Sequence, residues 1–120
     1  MPKKILIVDD EPDLLKLTVY RLRKNGYEVI TAVDGKEAIE MVDKEAPDLI
    51  LLDMRLPFMS GIEVCKNVKA TSKLKCIPVI LFTASTGSIE EDVKEAGADD
   101  FLFKPFDEKI LLEKLKKFLG

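Results

Sequence analysis

Three short runs of this chain are apolar at almost every position: Lys4 to Val8, Leu49 to Leu52 and Val79 to Phe82. A strand covered on both faces reads this way, because neither side of its pleat meets water. Glu28 to Ala32 and Phe101 to Phe103 are weaker strand candidates. Between the runs the apolar positions follow a helical period. Leu15, Val19 and Leu22 share one face, Ala38, Met41 and Val42 another, and Leu111, Leu115 and Phe118 a third. Ile62 to Val68 predicts a shorter helix. The boundary signals agree with this division. Asp34 with Glu37, and Ser88 with Glu91, have the spacing of a capping box. Gly26 and Gly97 stand where helices should end and suit a left-handed C-cap. The order is strand then helix, repeated five times. That alternation predicts an α/β fold with a parallel sheet and helices on both of its faces. With no repeat, low-complexity tract or linker, residues 1–120 read as a single domain. The last helix should close at Leu119, leaving no room for an output domain.

Composition narrows the picture. A chain of 120 residues suits one domain, and such a chain buries roughly two-thirds of its unfolded surface. The charge balance is −3 and the pI about 5.1, so nothing suggests an electrostatic grip on nucleic acid or on an anionic membrane. The segment from Met1 turns acidic at Asp9, before a signal sequence could form, and there is no apolar run of membrane-spanning length. The expected location is therefore cytoplasmic. Cys65 and Cys76 form no CxxC pair and read as reduced, structural thiols. The chain has no histidine at all. That excludes histidine acid–base catalysis, histidine metal sites and a phosphohistidine relay role for this chain. Chemistry must come from carboxylates, hydroxyls, lysines or a metal.

In an open α/β sheet, ligands bind beyond the carboxyl ends of the strands. The predicted strands end there in Asp9-Asp10-Glu11, in Asp53, in Thr83-Ala84-Ser85 and in Lys104-Pro105. Neighbouring strands lie about 4.8 Å apart, which brings Asp10 and Asp53 within reach of one ion. Clustered carboxylates repel and raise one another's pKa, a conflict that a divalent cation resolves. Oxygen ligands without His or Cys favour Mg²⁺, Mn²⁺ or Ca²⁺, and Mg²⁺ suits a small open site because it keeps several waters. The plainer alternative is that Asp9 and Asp10 only cap the next helix, ahead of Pro12. It leaves Asp53, at the end of its apolar run, unexplained. Lys104 can pair with Asp53 or bind a phosphoryl oxygen as a point charge, and Thr83 is either a turn residue or a donor to an anion. No GxGxxG or GxxxxGK[ST] motif is present, and the first loop is acidic where a nucleotide site needs amides facing phosphate.

These residues, taken in order, resemble the receiver domain of two-component response regulators. The likeness runs through Ile7-Val8-Asp9-Asp10-Glu11, then Asp53-Met54-Arg55-Leu56-Pro57-Phe58-Met59-Ser60-Gly61. It continues through Thr83-Ala84, Gly97-Ala98-Asp99-Asp100-Phe101 and Lys104-Pro105-Phe106. The resemblance implies a flavodoxin-like (βα)5 fold with a five-stranded parallel sheet of order 2-1-3-4-5. It implies that Asp53 is phosphorylated, and that Asp9, Asp10, Asp53 and the backbone carbonyl of Arg55 hold Mg²⁺. Thr83 and Lys104 would contact the phosphoryl oxygens, Thr83 and Phe101 would form the switch, and the Lys104–Pro105 bond would be cis. The phosphodonor would be a sensor histidine kinase and the output a downstream effector protein or domain, without direct nucleic-acid or membrane binding. A phosphorylation-dependent dimer is left open. Phe101 replaces the tyrosine of many relatives, so no phenolic hydroxyl is available there, and Arg55 sits at a variable position beside the acceptor. Two rivals remain: a Mg²⁺-dependent phosphohydrolase with an aspartyl-phosphate intermediate, and an interaction module that works without phosphorylation. The former's DxD nucleophile would follow the first strand, whereas here the lone strand-end Asp follows the third.

Overall fold

The apolar runs lie side by side in one parallel sheet. The computed structural model describes residues 2–71, 74, 76–84, 89–104 and 107–120. Its elements are β1 (Lys4–Val8), α1 (Pro12–Lys24), β2 (Glu28–Ala32), α2 (Gly35–Glu45) and β3 (Leu49–Asp53). They continue with α3 (Gly61–Ala70), β4 (Val79–Thr83), α4 (Ile89–Ala96), β5 (Asp100–Phe103) and α5 (Glu108–Leu119). The strand order is β2-β1-β3-β4-β5, as the resemblance implied. The three continuous apolar runs are the three central strands, and the two weaker candidates are the edges. An edge strand keeps partial contact with water, which is why β2 carries exposed Glu28 and half-buried Ile30 and Thr31.

Alternation along each strand divides the core in two. Leu6, Val8, Ile50 and Leu52 face Ala38 and Val42 of α2, Val64 and Val68 of α3, and Ala96 of α4. Ile5, Ile7, Leu49 and Leu51 face Leu22 of α1 and Leu111 and Leu115 of α5. Each fully buried side chain of this size contributes about 1.5–3 kcal/mol through lost water contact. The sheet therefore supplies a rigid base, and residues just past the strand ends inherit fixed positions.

Local signals set the helix ends. The Asp34 carboxylate accepts from the Glu37 amide at 2.8 Å, the predicted cap. Ser60 does the same for Glu63 at 3.2 Å, which starts α3 one residue before the predicted Ile62. Gly26 and Gly97 adopt φ of 90° and 75° as expected. The Ser88 cap predicted for α4 lies outside the described residues. One expectation fails: Cys65 is buried but Cys76 is exposed, so only the former is a core thiol. Burial, the largest effect, pushes the Cys65 thiol up to about 11.

One contact ties the helical layer to the strand ends. The Gly61 amide donates to the Met54 carbonyl at 3.0 Å, so the loop from β3 to α3 returns to its own start. A Cβ at position 61 would collide with the Asp53 carbonyl oxygen and lie 2.8 Å from Met54 Cα. Both obstacles are backbone and cannot swing aside. Gly61→Ala is expected to lower the unfolding free energy by about 2 kcal/mol through forced overpacking. Gly26→Ala meets open space at a positive φ and is expected to cost only about 1 kcal/mol. Urea denaturation of the two variants compares these losses; equal losses would mean that Gly61 is not sterically required.

Candidate functional site

The sheet register aligns the strand ends. Val8 is opposite Leu52, so Asp9 and Asp53 stand side by side at one edge. Asp53 is opposite Phe82, which puts Thr83 one residue further along. Thr83 is opposite Phe103, and Lys104 follows. Parallel pairing thus converts residues 9, 53, 83 and 104, remote in sequence, into neighbours on one rim.

Asp9 and Asp53 are almost entirely buried, with 1% and 3% of their surface exposed, whereas Asp10 is exposed. Asp9 Oδ1 accepts from the Glu11 amide at 3.0 Å. The helix caps on Glu11 instead, without a side-chain cap bond, and Pro12 opens its first turn. The plainer reading of Asp9 and Asp10 as helix caps therefore fails. Asp53 has both oxygens engaged. Oδ1 accepts from the Arg55 amide at 3.0 Å, and Oδ2 accepts from Lys104 Nζ at 2.8 Å. The ammonium also reaches Glu11 Oε1 at 2.9 Å and lies 3.8 Å from Asp9 Oδ1. Its lower side lies over the Phe82 ring, 5.1 Å from the centroid.

The electrostatics follow from burial. Burial pushes the Asp9 carboxyl up to about 6. Its hydrogen bond from Glu11 and the Lys104 charge oppose the rise, and the adjacent Asp53 adds to it. Burial alone would push the Lys104 ammonium down, but its bonds to Asp53 and Glu11 outweigh that and raise it. Among the described residues one ammonium thus faces Asp9, Glu11 and Asp53, with Asp10 beside them. The pocket retains excess negative charge. One ligand oxygen from each of Asp9, Asp10 and Asp53 lies within 4.8 Å of the others. An all-oxygen, partly open cluster of this kind fits a hard divalent cation.

The remaining candidates divide. Thr83 is 2% exposed, and its carbonyl accepts from the Lys104 amide at 2.8 Å. Arg55 is exposed and meets Asp53 through its amide. Phe101 is half-buried and stands opposite Leu81, two register positions back from Thr83 and so on the same face. Its ring meets Phe103 edge-on at 5.5 Å and carries Lys114 Nζ at 5.4 Å. Lys114 also holds the Asp100 carboxylate at 2.8 Å. Despite partial burial, that bond, with the Phe101 amide and Lys117, keeps the carboxyl below its usual range. Pro105, and with it the expected cis bond, lies outside the described residues, as does Ser85. Glu11, the third acid of the first acidic run, grips Lys104. Its place in that run is the one sequence signal of this contact.

Comparisons with known proteins agree with this architecture. The response regulator receiver domain family matches residues 5–116. The alkaline phosphatase synthesis transcriptional regulatory protein PhoP of Bacillus subtilis is 42% identical, over 99% of this chain and 49% of its own length. The chain thus spans about half the length of that curated relative. The Vibrio cholerae chemotaxis protein CheY4 superposes with a TM-score of 0.93 at 35% identity, covering 99% of this chain and 100% of the other. The receiver domain of the sensor histidine kinase PA1611 from Pseudomonas aeruginosa, solved with a magnesium ion in its active-site cleft, gives 0.93 at 30% identity. That match covers 100% of this chain and 99% of the other. Receiver domains bind Mg²⁺ in an acidic site of this kind and interact with histidine kinases and effectors. Among the described residues, no helix is long and apolar enough to cross a membrane. The match runs from β1 into α5, on a sheet order and an acidic rim that stand by themselves. This chain accordingly belongs to the response regulator receiver domain family of two-component systems, whose general function is phosphorylation on an aspartate.

Proposed function

We propose that Asp53 is the phospho-acceptor of this chain, that its phosphorylation depends on Mg²⁺, and that the donor is a phosphohistidine on a sensor histidine kinase. One observation carries the reading. A buried carboxylate is held between the Lys104 ammonium at 2.8 Å and the Arg55 amide at 3.0 Å, beside two further acids within one ion's reach. Asp9, Asp10, Asp53 and the Arg55 carbonyl would hold Mg²⁺, which when bound offsets negative charge on the carboxylates and the moving phosphoryl group. An Asp53 oxygen attacks phosphorus in line; a P–O bond forms as the P–N bond to the imidazole breaks. Lys104 then follows the charge from the carboxylate to a phosphoryl oxygen. The site supplies positioning and charge neutralisation, which dominate phosphoryl transfer. Water attack on the same phosphorus resets the switch, so the chain assists both its own phosphorylation and its dephosphorylation. A metabolite phosphohydrolase is disfavoured because the acceptor ends the third strand rather than the first. Intact mass after incubation with phosphoramidate and Mg²⁺ is expected to rise by one phosphoryl group, and not to rise in Asp53→Asn or with EDTA. Equal labelling of Asp53→Asn would refute this acceptor.

The rise in the Asp9 pKa yields a second expectation. Between about 4 and 6 the metal-free folded chain keeps a proton on Asp9 that the unfolded chain has released, so stability falls as pH rises through that window. Below it both states are protonated; above it both are ionised and the penalty stays constant. Asp9→Asn is therefore expected to be more stable than the parent chain above pH 6 in EDTA, by about 1–3 kcal/mol. The gap should close near pH 4. Saturating Mg²⁺ should shrink the gap at pH 7 by favouring ionised Asp9. Denaturation midpoints across pH, with and without Mg²⁺, test this. A gap independent of pH would assign the gain to something other than ionisation.

We further propose that output passes through contact of α4, β5 and α5 with a downstream effector. When the Thr83 hydroxyl turns to a phosphoryl oxygen, it vacates space beneath α4, and Phe101 moves inward from its half-buried position. Burying the rest of a Phe ring is worth at most a few kcal/mol, on the scale of the roughly 5.5 kcal/mol that inverts a 1:99 population. Amide exchange and resonances on Ile89–Ala96 and Glu108–Leu119 are expected to change with beryllofluoride in the parent chain and to stay largely unchanged in Thr83→Ala. Full response in Thr83→Ala would exclude this route.

A further inference from the structure

The loop that follows Asp53 turns all but one of its large apolar side chains inward. Met54, Leu56 and Met59 pack against the core on the α2–α4 side of the sheet. The bond from Gly61 to Met54 closes the loop's two ends at 3.0 Å. Phe58 is the exception, with a relative exposure of 101%. Its backbone is also unusual, at φ 68°. The Met59 amide donates to the Pro57 carbonyl at 2.8 Å, which makes Phe58 the centre of a γ-turn in its rare, strained, positive-φ form. Glycine or asparagine fits that conformation with little strain, whereas a bulky aromatic is an outlier. Exposing the ring to water is a second and independent cost. Both penalties fall on one residue of a loop that starts at the acceptor, and strain maintained in this way clusters at functional sites.

We infer that Phe58 is the aromatic anchor by which the protein phosphodonor docks over Asp53, its ring entering an apolar socket beside the donor's phosphohistidine. The inference rests on the reading of Asp53 as acceptor. An effector, or a second copy of this chain, has no need to approach Asp53. The donor must, because in-line attack brings phosphorus into contact with a carboxylate that is 3% exposed. A donor surface reaching that depth covers the rim, and the β3–α3 loop is part of the rim. The exposed charges of Asp10, Glu11 and Arg55 give the same rim a polar border, the arrangement in which a central aromatic carries binding. Phe58 takes no part in the bond making and breaking; it positions the donor.

The test compares a small donor with a protein donor. Phosphoramidate needs no docking surface. The protein donor is the autophosphorylated catalytic fragment, chosen from a panel of histidine kinases, that labels the parent chain fastest. Phe58→Asn and Phe58→Ala are expected to take phosphate from phosphoramidate at the parent rate. Their transfer from the kinase should slow at least tenfold at low receiver concentration and recover at saturation, a change in KM rather than kcat. Phe58→Tyr should retain transfer. Phe58→Asn, which suits the turn, should be at least as stable as the parent, so its loss is not one of folding. Kinase transfer at the parent rate in Phe58→Ala would overturn the anchor while leaving Asp53 as acceptor. An equal slowing with phosphoramidate would also overturn it, since the residue would then act on the pocket. A parent chain that takes nothing from either donor would remove the acceptor reading itself, and the anchor with it.

Discussion

The contact between Lys104 and Asp53, 2.8 Å long and mostly buried, is the interaction on which the rest of the site depends. It joins the ends of β3 and β5 across β4 and sets one positive charge among carboxylates that would otherwise repel. Removing only one partner of a buried pair is far costlier than replacing both, because the survivor is left as an uncompensated charge. The pair therefore holds the metal-free pocket together.

That compensation is incomplete, and the shortfall is useful. Asp9 retains a raised pKa despite Lys104, so the fold carries a local electrostatic debt. A divalent cation held by the acidic cluster would relieve it. A pocket with every charge matched would have little reason to change state on phosphorylation. The same logic applies to the loop after Asp53, where a strained backbone and an exposed ring are maintained on an otherwise well-packed scaffold. The two-faced core gives the sheet the stability to carry both features.

The sheet also links the pocket to the β5 edge. Thr83 and Phe101 lie on one face of adjacent strands, two register positions apart. Phe101 is bounded by Phe103 on one side and by the Lys114–Asp100 pair on the other. Its environment is therefore divided between core, charge and solvent. A half-buried ring of this kind still has apolar surface left to bury, whereas a ring locked in the core has none.

Much was legible in the sequence because it was written in local rules. Continuous apolar runs give β1, β3 and β4, since strands buried on both faces are apolar along their middles and place polar residues only at their ends. Asp34 marks the start of α2, because a carboxylate can satisfy the orphan amide at Glu37. The acidic run, Asp53, Thr83 and Lys104 stood out as polar residues ending apolar strands. Ser60 with Glu63 has the same cap spacing as Asp34 with Glu37, and it starts α3 earlier than the apolar spacing alone indicates. What only tertiary structure decided were relations between distant segments. Register placed Asp9 beside Asp53, and burial rather than residue type raised the Asp9 pKa. The long Glu11 side chain found Lys104, 93 positions away, through a turn that no periodicity encodes. Cys65 and Cys76 read alike until packing buried one and left the other in water. Phe58 looked like one more apolar residue. Its exposure comes from a γ-turn, closed by backbone bonds whose geometry a side-chain pattern cannot specify.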